Sequence, residues 1–159
     1  MPIRELDAID RRILEQLQRS GRMSNLELAS RVGVSASPCL RRLRLLEAEG
    51  VIKAYIAQLN REKVGLGLTS FIAVKLKSHG DSVASAFRSE IQDMPEVTAC
   101  YITSGEHDFL LQVVAPDLAG YRKFVLEKLI KMPEVKDIYS SVVLDTVKED
   151  GPLPLKHLV

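Results

Sequence analysis

A short internal repeat constrains the fold of this chain more than any other feature. The tetrapeptide Met-Pro-Glu-Val occurs at 94–97 and again at 132–135. Each copy lies between a helical pattern and a strand pattern, and a further strand pattern precedes each helix. Two strand-helix-strand units in tandem are typical of the ferredoxin-like βαββαβ fold, an antiparallel four-stranded sheet with both helices on one face. The sequence therefore predicts such an α+β domain over residues 69–159.

The apolar spacing within the repeat predicts strand positions and an apolar open face. Alternation predicts strands over 69–77 and 108–115, and the helix after the second strand begins with Asp117 as its cap. On a consistent register, five apolar side chains lie on the face away from the helices: Phe71, Ala73, Tyr101, Phe109 and Leu111. Because so much apolar surface seldom stays exposed in a monomer, we expect two copies to pack face to face. A slip of one position would exchange the two faces, and that alternative remains open.

The charge of the chain is unevenly distributed. The net charge is +1, but residues 1–60 carry ten Lys and Arg against seven Asp and Glu, whereas residues 61–159 carry twelve against fourteen. An excess of +3 is weak support for a polyanionic partner by itself, since many solvated helical faces are as basic. Whether residues 1–60 bind a polyanion therefore depends on how these charges are arranged.

Three predicted helices give residues 1–60 the outline of a helix-turn-helix unit. The first helix is predicted over about 7–19. Ser24 to Glu27 has the form of a capping box and begins a short second helix that runs to about residue 31. Gly33-Val34-Ser35 forms a tight turn, where glycine tolerates a positive φ and serine can cap a third helix that runs to about Glu49. This succession is typical of a DNA-binding helix-turn-helix domain.

The third helix has one apolar face and one basic face. At about 100° per residue, Cys39, Leu43 and Leu46 fall on one side. The opposite side carries Ser37, Pro38, Arg41, Arg42 and Arg44. A major groove accepts one α-helix, whose arginines can pair with phosphates or with guanine. An isolated basic face is more often simply solvated. The helix-turn-helix outline favours DNA, and Ser24, Asn25 and Ser35 at the helix starts complete the predicted DNA-binding set.

The same helix and strand patterns predict the domain boundaries. We expect a helix-turn-helix domain over 1–60, a linker over 61–68 and a sheet domain over 69–159. Residues 51–59 are predicted to form a strand or a small wing, which would make the first domain a winged helix-turn-helix.

Nothing in the sequence predicts a catalytic, metal or membrane site. The histidines His79, His107 and His157 fit no metal or triad spacing, and Cys39 and Cys100 show no CxxC pattern. We expect no enzymatic activity, no cofactor and no metal. No apolar run is long enough for a membrane span, and the first residues lack the apolar core of a signal peptide, so we expect a soluble, cytoplasmic protein.

Four segments together form a specific pattern. They are LDAIDRRIL at 6–14, GRMSNLELA at 21–29, VGVSASPCLRRL at 32–43 and YITSGEHDFLL at 101–111. With the two-domain outline, they resemble the Lrp/AsnC family of feast/famine transcription regulators over nearly the whole chain. The resemblance implies that the second and third helices bind double-stranded DNA and that the C-terminal domain forms dimers and binds an effector. It further implies that dimers assemble into octamers or related discs and respond to amino acids.

The resemblance also implies an effector site where two C-terminal domains meet, around the loop between their second and third strands. That loop is Ser104, Gly105, Glu106, His107 and Asp108. Its backbone amides can hold an α-carboxylate and Asp108 an ammonium group, which suits a zwitterion, although the same residues alone form an ordinary hairpin turn. Ser141, Val142 and Val143 match family positions that line the pocket or transmit the response. With Ile102 they favour an apolar amino acid such as leucine or methionine.

Two other functions compete with this interpretation. An enzyme is disfavoured because no paired catalytic groups are evident. A ligand-independent architectural protein that compacts DNA remains the alternative, since basic faces and oligomers serve both roles.

Overall fold

The computed structural model describes residues 5–78 and 80–158, and the chain folds into two compact units. The helical unit contains the described residues up to Gln58 together with those from Lys148 onward, and the sheet unit is Leu59–Val147. The last residues were predicted to belong with the sheet domain, and the structure corrects this. Leu155 and Leu158 pack against the core of the helical unit, a contact that chain order does not reveal.

Three helices form the helical unit as predicted: α1 is Ala8–Arg19, α2 is Asn25–Val32 and α3 is Ala36–Ala48. Asp7 caps α1 by accepting hydrogen bonds from the amides of Ile9 and Asp10. The turn into α3 passes through Gly33, whose φ of 78° favours glycine. The apolar faces of all three helices meet in one core that includes Ile13, Leu14, Leu28, Ala29, Val32, Cys39 and Leu46.

The segment after α3 has no regular secondary structure. Residues 53–60 pair with no described strand, so the expected strand over 51–59 is not formed. The Tyr55 hydroxyl donates to Glu47 Oε1 at 2.9 Å and ties this segment to the end of α3. Burial and that hydrogen bond raise the pKa of Tyr55 to about 12. A short 3₁₀ turn, Glu62–Val64, interrupts the predicted linker.

The sheet unit has the predicted ferredoxin-like topology. Its elements are β1 Leu68–Leu76, α4 Asp81–Gln92, β2 Val97–Ile102, β3 Phe109–Ala115, α5 Leu118–Phe124 with a π-helical continuation Val125–Leu129, and β4 Val135–Val142. The strand order is β2-β3-β1-β4 and all pairs are antiparallel. Both copies of Met-Pro-Glu-Val form the same turn, because the valine amide donates to the methionine carbonyl in each. The repeat thus starts β2 and β4.

The register of β3 differs from the prediction. Phe109 and Leu111 pair with Val74 and Ile72, and all four are buried. Paired residues share a face of the sheet, so Phe109 and Leu111 face the helices and the prediction that they lie on the open face was wrong. Leu110 pairs with Ala73 and takes their place. The strand is apolar on both faces, and alternation therefore could not fix its register.

No helix in the described part of the chain is long and apolar enough to cross a membrane.

Candidate nucleic-acid interface and effector site

The outer face of α3 presents a stripe of unpartnered polar groups. Ser37, Arg41 and Arg44 are exposed and follow one another at i, i+4 and i+7. They line a shallow hollow with Leu40, Leu45 and Ala48. Neither Arg41 nor Arg44 has a hydrogen bond or an ion pair with any residue that the structure describes. Both guanidinium groups can therefore bind an external anion without first breaking an internal contact.

The first turn of α3 adds exposed donors to this stripe. Ser35 occupies the N-cap position, but its side chain makes no capping hydrogen bond, contrary to the predicted cap. Ser35, Ser37 and Pro38 are all exposed. The amides of a helix's first turn have no intrahelical partners, so this end of α3 suits a phosphate group.

Arg42 lies apart from that stripe and has an internal role. Its Nη1 donates to Asp7 Oδ2 at 2.7 Å and to Asp10 Oδ1 at 2.9 Å. The Arg42 side chain is 21% exposed and that of Asp10 only 1%. Arg42 thus fastens α3 to the start of α1, and its predicted contact with DNA stays a prediction. The helical projection placed it at the edge of the basic face, and the two carboxylates lie more than thirty residues away in sequence.

The cluster of Arg42, Asp7 and Asp10 is electrostatically coupled to a helix cap. The Asp10 amide and the Arg42 guanidinium lower the pKa of Asp7 below its ordinary value. The hydrogen bonds to Asp10 and Asp7 in turn raise the pKa of Arg42. Asp7 therefore stabilises the helical unit most strongly in its ionised form.

Two predicted DNA contacts at the start of α2 also have internal partners. Ser24 Oγ accepts from the Glu27 amide at 3.2 Å, which is one half of the predicted capping box, whereas Glu27 Oε1 accepts from Arg31 instead of reaching back. Asn25 Nδ2 donates to the Ala36 carbonyl at 2.9 Å, which joins α2 to the first turn of α3. Asn25 is half-buried, so the structure gives it the role of fixing the angle between the two helices.

The loop between β2 and β3 is a closed turn with unpaired amides at its tip. Thr103 Oγ1 donates to the His107 carbonyl at 2.8 Å, and the Thr103 amide donates to the Asp108 carbonyl at 3.0 Å. Gly105 has φ 120° and open space around it. No hydrogen bond joins the amides of Gly105, Glu106 and His107 to another described residue. Such a turn can bind a carboxylate through its backbone.

Asp108 connects this loop to the neighbouring strand β1. Its Oδ2 accepts from the Leu76 amide at 2.8 Å, and its own amide donates to the Val74 carbonyl at 2.9 Å. These bonds anchor the loop to the end of β1. The structure thus gives Asp108 a positioning role, and its predicted role as an ammonium ligand stays a prediction.

The final strand lies far from the loop within one chain. Val143 donates its amide to the Thr69 carbonyl, whereas Asp108 donates to the Val74 carbonyl. Thr69 and Val74 are five residues apart on β1, a separation of roughly 17 Å at the usual rise of a strand. One chain thus does not bring the loop and residues 141–143 together.

The residues of the final strand also point in different directions. Ser141 pairs with Phe71 on the open face of the sheet. Val142 pairs with Ser70, whose hydroxyl donates to Tyr121 of α5, so Val142 lies on the helix side. Ser141 and Val142 therefore lie on opposite faces of the sheet, and their predicted role in lining the pocket or transmitting the response stays a prediction. Ile102, 70% exposed, also pairs with a helix-side residue, Phe109.

The open face of the sheet is apolar and exposed. Phe71 is 39% exposed, Tyr101 56% and Tyr139 67%. Tyr139 pairs with Ala73, which in turn pairs with Leu110, so these side chains form one continuous surface. The sequence analysis missed Tyr139 and Leu110. The alternation of β4 could have revealed Tyr139, two positions before Ser141.

Comparison with known families assigns both units. Residues 69–153 match the Lrp/AsnC ligand binding domain, and residues 6–53 match a winged helix-turn-helix DNA-binding domain. The leucine-responsive regulatory protein of Klebsiella pneumoniae is 41% identical over 155 residues, covering 98% of this chain and 94% of that protein. Its counterpart in Escherichia coli K12 is 40% identical with the same coverage.

Solved structures agree with this assignment. A transcriptional regulator from Neisseria meningitidis, solved as a complex with L-methionine, is 42% identical, with a TM-score of 0.93 over 97% of this chain and 99% of that one. An AsnC family transcriptional regulator from Agrobacterium tumefaciens is 35% identical, with a TM-score of 0.90 over 96% of this chain and 99% of that one. The fold of both units is thus shared with relatives of nearly equal length. The chain belongs to the Lrp/AsnC family of transcription regulators.

Proposed function

We propose that this regulator binds double-stranded DNA through the outer face of α3 and that an amino acid bound between two sheet units changes this binding. The observation that carries the proposal is the stripe of Ser37, Arg41 and Arg44, whose arginines have no partner in the described chain. Ser35 and Pro38 extend this surface. Arg42 and Asn25 act indirectly, because their internal bonds hold α3 in place, and Ser24 acts by capping α2.

The effector chemistry follows from the loop of residues 104–108. The amides of Gly105, Glu106 and His107 suit the α-carboxylate that all amino acids share, and Asp108 keeps the loop in position. The relative from Neisseria meningitidis was solved with L-methionine, and several relatives are named leucine-responsive, which supports methionine or leucine as the effector.

The site needs two copies of the chain. Since the loop and the end of β4 lie at opposite ends of one sheet, a small ligand cannot touch both within one chain. A ligand between two sheet units can contact the loop of one copy and Ser141 or Val143 of the other. Enclosure by both copies would explain how a site that is open in one chain becomes selective.

The open face of the sheet supports assembly. Five apolar side chains form it: Phe71, Ala73, Tyr101, Leu110 and Tyr139. Packing this face against a second copy would remove its apolar area from water, which favours a homodimer that can assemble further into octamers.

The test is DNA binding with and without an effector. Operator affinity of the full chain is measured at several salt concentrations, with L-methionine, L-leucine or no amino acid. We expect a negative salt slope and a change in affinity with at least one amino acid. An architectural protein without an effector would show the salt slope but no response to any of the twenty amino acids, which would refute the regulatory part of the proposal.

A further inference from the structure

The C-terminal segment 148–158, here called the tail, is bound to the helical unit by polar contacts. Gln18 and Leu153 exchange two hydrogen bonds: the Leu153 amide donates to Gln18 Oε1 at 2.6 Å, and Gln18 Nε2 donates to the Leu153 carbonyl at 3.3 Å. Arg11 Nη1 donates to the Leu158 carbonyl at 3.0 Å. Gln58 Nε2 donates to Asp150 Oδ2 at 2.8 Å. Three of these four bonds use the backbone of the tail, so they fix its path largely independently of its side chains.

Apolar contacts accompany these bonds. Leu155 and Leu158 pack against the helical core, beside Leu6 and Leu17 of the α1 region and Ile52 after α3. Partial burial of these two leucines removes apolar area from water, which stabilises the contact. The tail is therefore part of the DNA-binding unit, although it follows the sheet unit in sequence.

The contact between the tail and the helical unit is weak enough to open. An open cavity of about 600 Å³ remains between the tail, α1 and residues 51–55. The two hydrogen bonds between Gln18 and Leu153 are exposed to solvent, and Leu155 and Leu158 are only partly buried. Segments held by exposed hydrogen bonds and few buried contacts open at low free-energy cost. The tail can thus exist in a bound and a released state.

Its connection to the sheet unit makes this equilibrium responsive. The chain passes from the helical unit to the sheet unit at residue 59 and returns at residue 148, so two covalent connections join the units. The returning connection is residues 143–147, here called the strap, which follows β4 directly. Leu144 and Val147 are each 97% exposed. The strap begins where the proposed effector site includes Ser141 and Val143.

We propose that the tail is a coupling element between effector and DNA. An effector that repositions the end of β4 pulls on or releases the strap, and the strap shifts the tail between its bound and released states. The bound tail holds α1 through Arg11 and Gln18. The start of α1 holds α3 through the bonds of Asp7 and Asp10 to Arg42. This inference rests on the proposed function, because it needs an effector whose binding differs between the two states.

A slackened strap tests the coupling. Inserting Gly-Ser-Gly-Ser after Leu144 in the full chain keeps every tail contact but removes tension from the connection. We expect calorimetry to show unchanged binding of L-methionine or L-leucine, and operator affinity without amino acid within about twofold of the unaltered chain. The change in operator affinity that the amino acid causes should fall by at least about fivefold. Val147→Ser, a substitution at an exposed strap position, is the control and should respond like the unaltered chain.

A second measurement tests the tail contact without any effector. Leu155→Ser combined with Leu158→Ser should speed amide hydrogen exchange in α1 by at least about tenfold and leave β1 and β3 unchanged. Unchanged exchange in α1 would overturn the inference. So would an undiminished amino-acid effect in the insertion variant. If the unaltered chain binds no amino acid at all, the proposed function fails instead, and accelerated exchange in α1 would still show the tail contact.

Discussion

The proposed DNA-binding surface and the proposed effector site of this regulator are built in opposite ways. Ser37, Arg41 and Arg44 lie on one face of one helix, and their spacing alone brings them together. The proposed effector site draws on the loop of residues 104–108 and on the end of β4, which lie at opposite ends of the same sheet. In this proposal, one copy of the chain presents a DNA-binding surface, whereas two copies are needed to complete the effector site.

The largest effect should separate Arg42 from its neighbours on α3. Arg42→Ala removes the ion pair between Arg42 and the buried Asp10 carboxylate, which should destabilise the helical unit by about 3 kcal/mol. Arg41→Ala, one position earlier but exposed, is the matched control and should cost less than about 0.5 kcal/mol. Urea unfolding followed by circular dichroism measures both. Equal stabilities of the two variants would show that Arg42 has no fastening role.

The proposal that two copies pack through the open face of the sheet predicts a loss of assembly when that face becomes charged. Phe71→Asp removes a large apolar side chain from the proposed interface, which should weaken dimerisation by about 2 to 3 kcal/mol. Sedimentation velocity across a concentration series measures the shift. Glu90→Gln on α4, away from that face, should leave the assembly unchanged. A Phe71→Asp variant that assembles like the unaltered chain would exclude the open face as the interface.

Local DNA recognition predicts separate losses for two arginines. Arg41→Ala and Arg44→Ala should each lower operator affinity by about 1 to 3 kcal/mol if they contact guanine. A contact to phosphate would instead reduce the salt slope by about one. Arg122→Ala on α5 makes the same charge change in the sheet unit. By fluorescence anisotropy, Arg122→Ala should lower operator affinity much less than the two α3 variants do. Equal losses in all three variants would mean that only overall charge matters.

The smallest effect concerns the pH dependence of the cap of α1. Because the folded-state pKa of Asp7 is lowered, its ionised form adds stability above its ordinary pKa of 3.8, and this is lost as the pH falls through the folded value. Asp7→Asn keeps a good cap but loses the charge, and should cost less than about 1 kcal/mol at neutral pH, since half of the side chain is exposed. The difference from the unaltered chain, measured by urea unfolding, should shrink as the pH falls below 3.8. A constant difference would assign the effect to capping alone.

Structural features that depend on residues close together in sequence could be predicted. Apolar spacing located the helices and strands, the repeat predicted the sheet topology, and helical projection placed Arg41 and Arg44 on the exposed face of α3. Prediction failed where residues distant in sequence decide the outcome. The internal bonds of Arg42 were missed because its partners Asp7 and Asp10 are remote in sequence, and the tail was placed with the sheet domain because Leu155 and Leu158 pack against distant helices.

The register of β3 shows a different limit. Its residues are apolar on both faces, so alternation gives no preference, and only pairing with β1 shows that Phe109 and Leu111 point to the helices. Asp108 illustrates the same point at the site. Its carboxylate looked available for a ligand in sequence, but it accepts from the Leu76 amide across the sheet.

Mixing two defective variants tests most directly whether two copies share the effector site. Gly105→Asp places strain and negative charge in the loop, and Ser141→Phe blocks the strand end, so each variant alone should bind no L-methionine or L-leucine by calorimetry. In an equilibrated equal mixture, each mixed dimer has one site made of an intact loop and an intact strand end. About a quarter of all sites should then bind the amino acid again. A mixture that binds no more than its separate components, although sedimentation shows mixed assemblies, would mean that each chain holds its own site and would contradict the account.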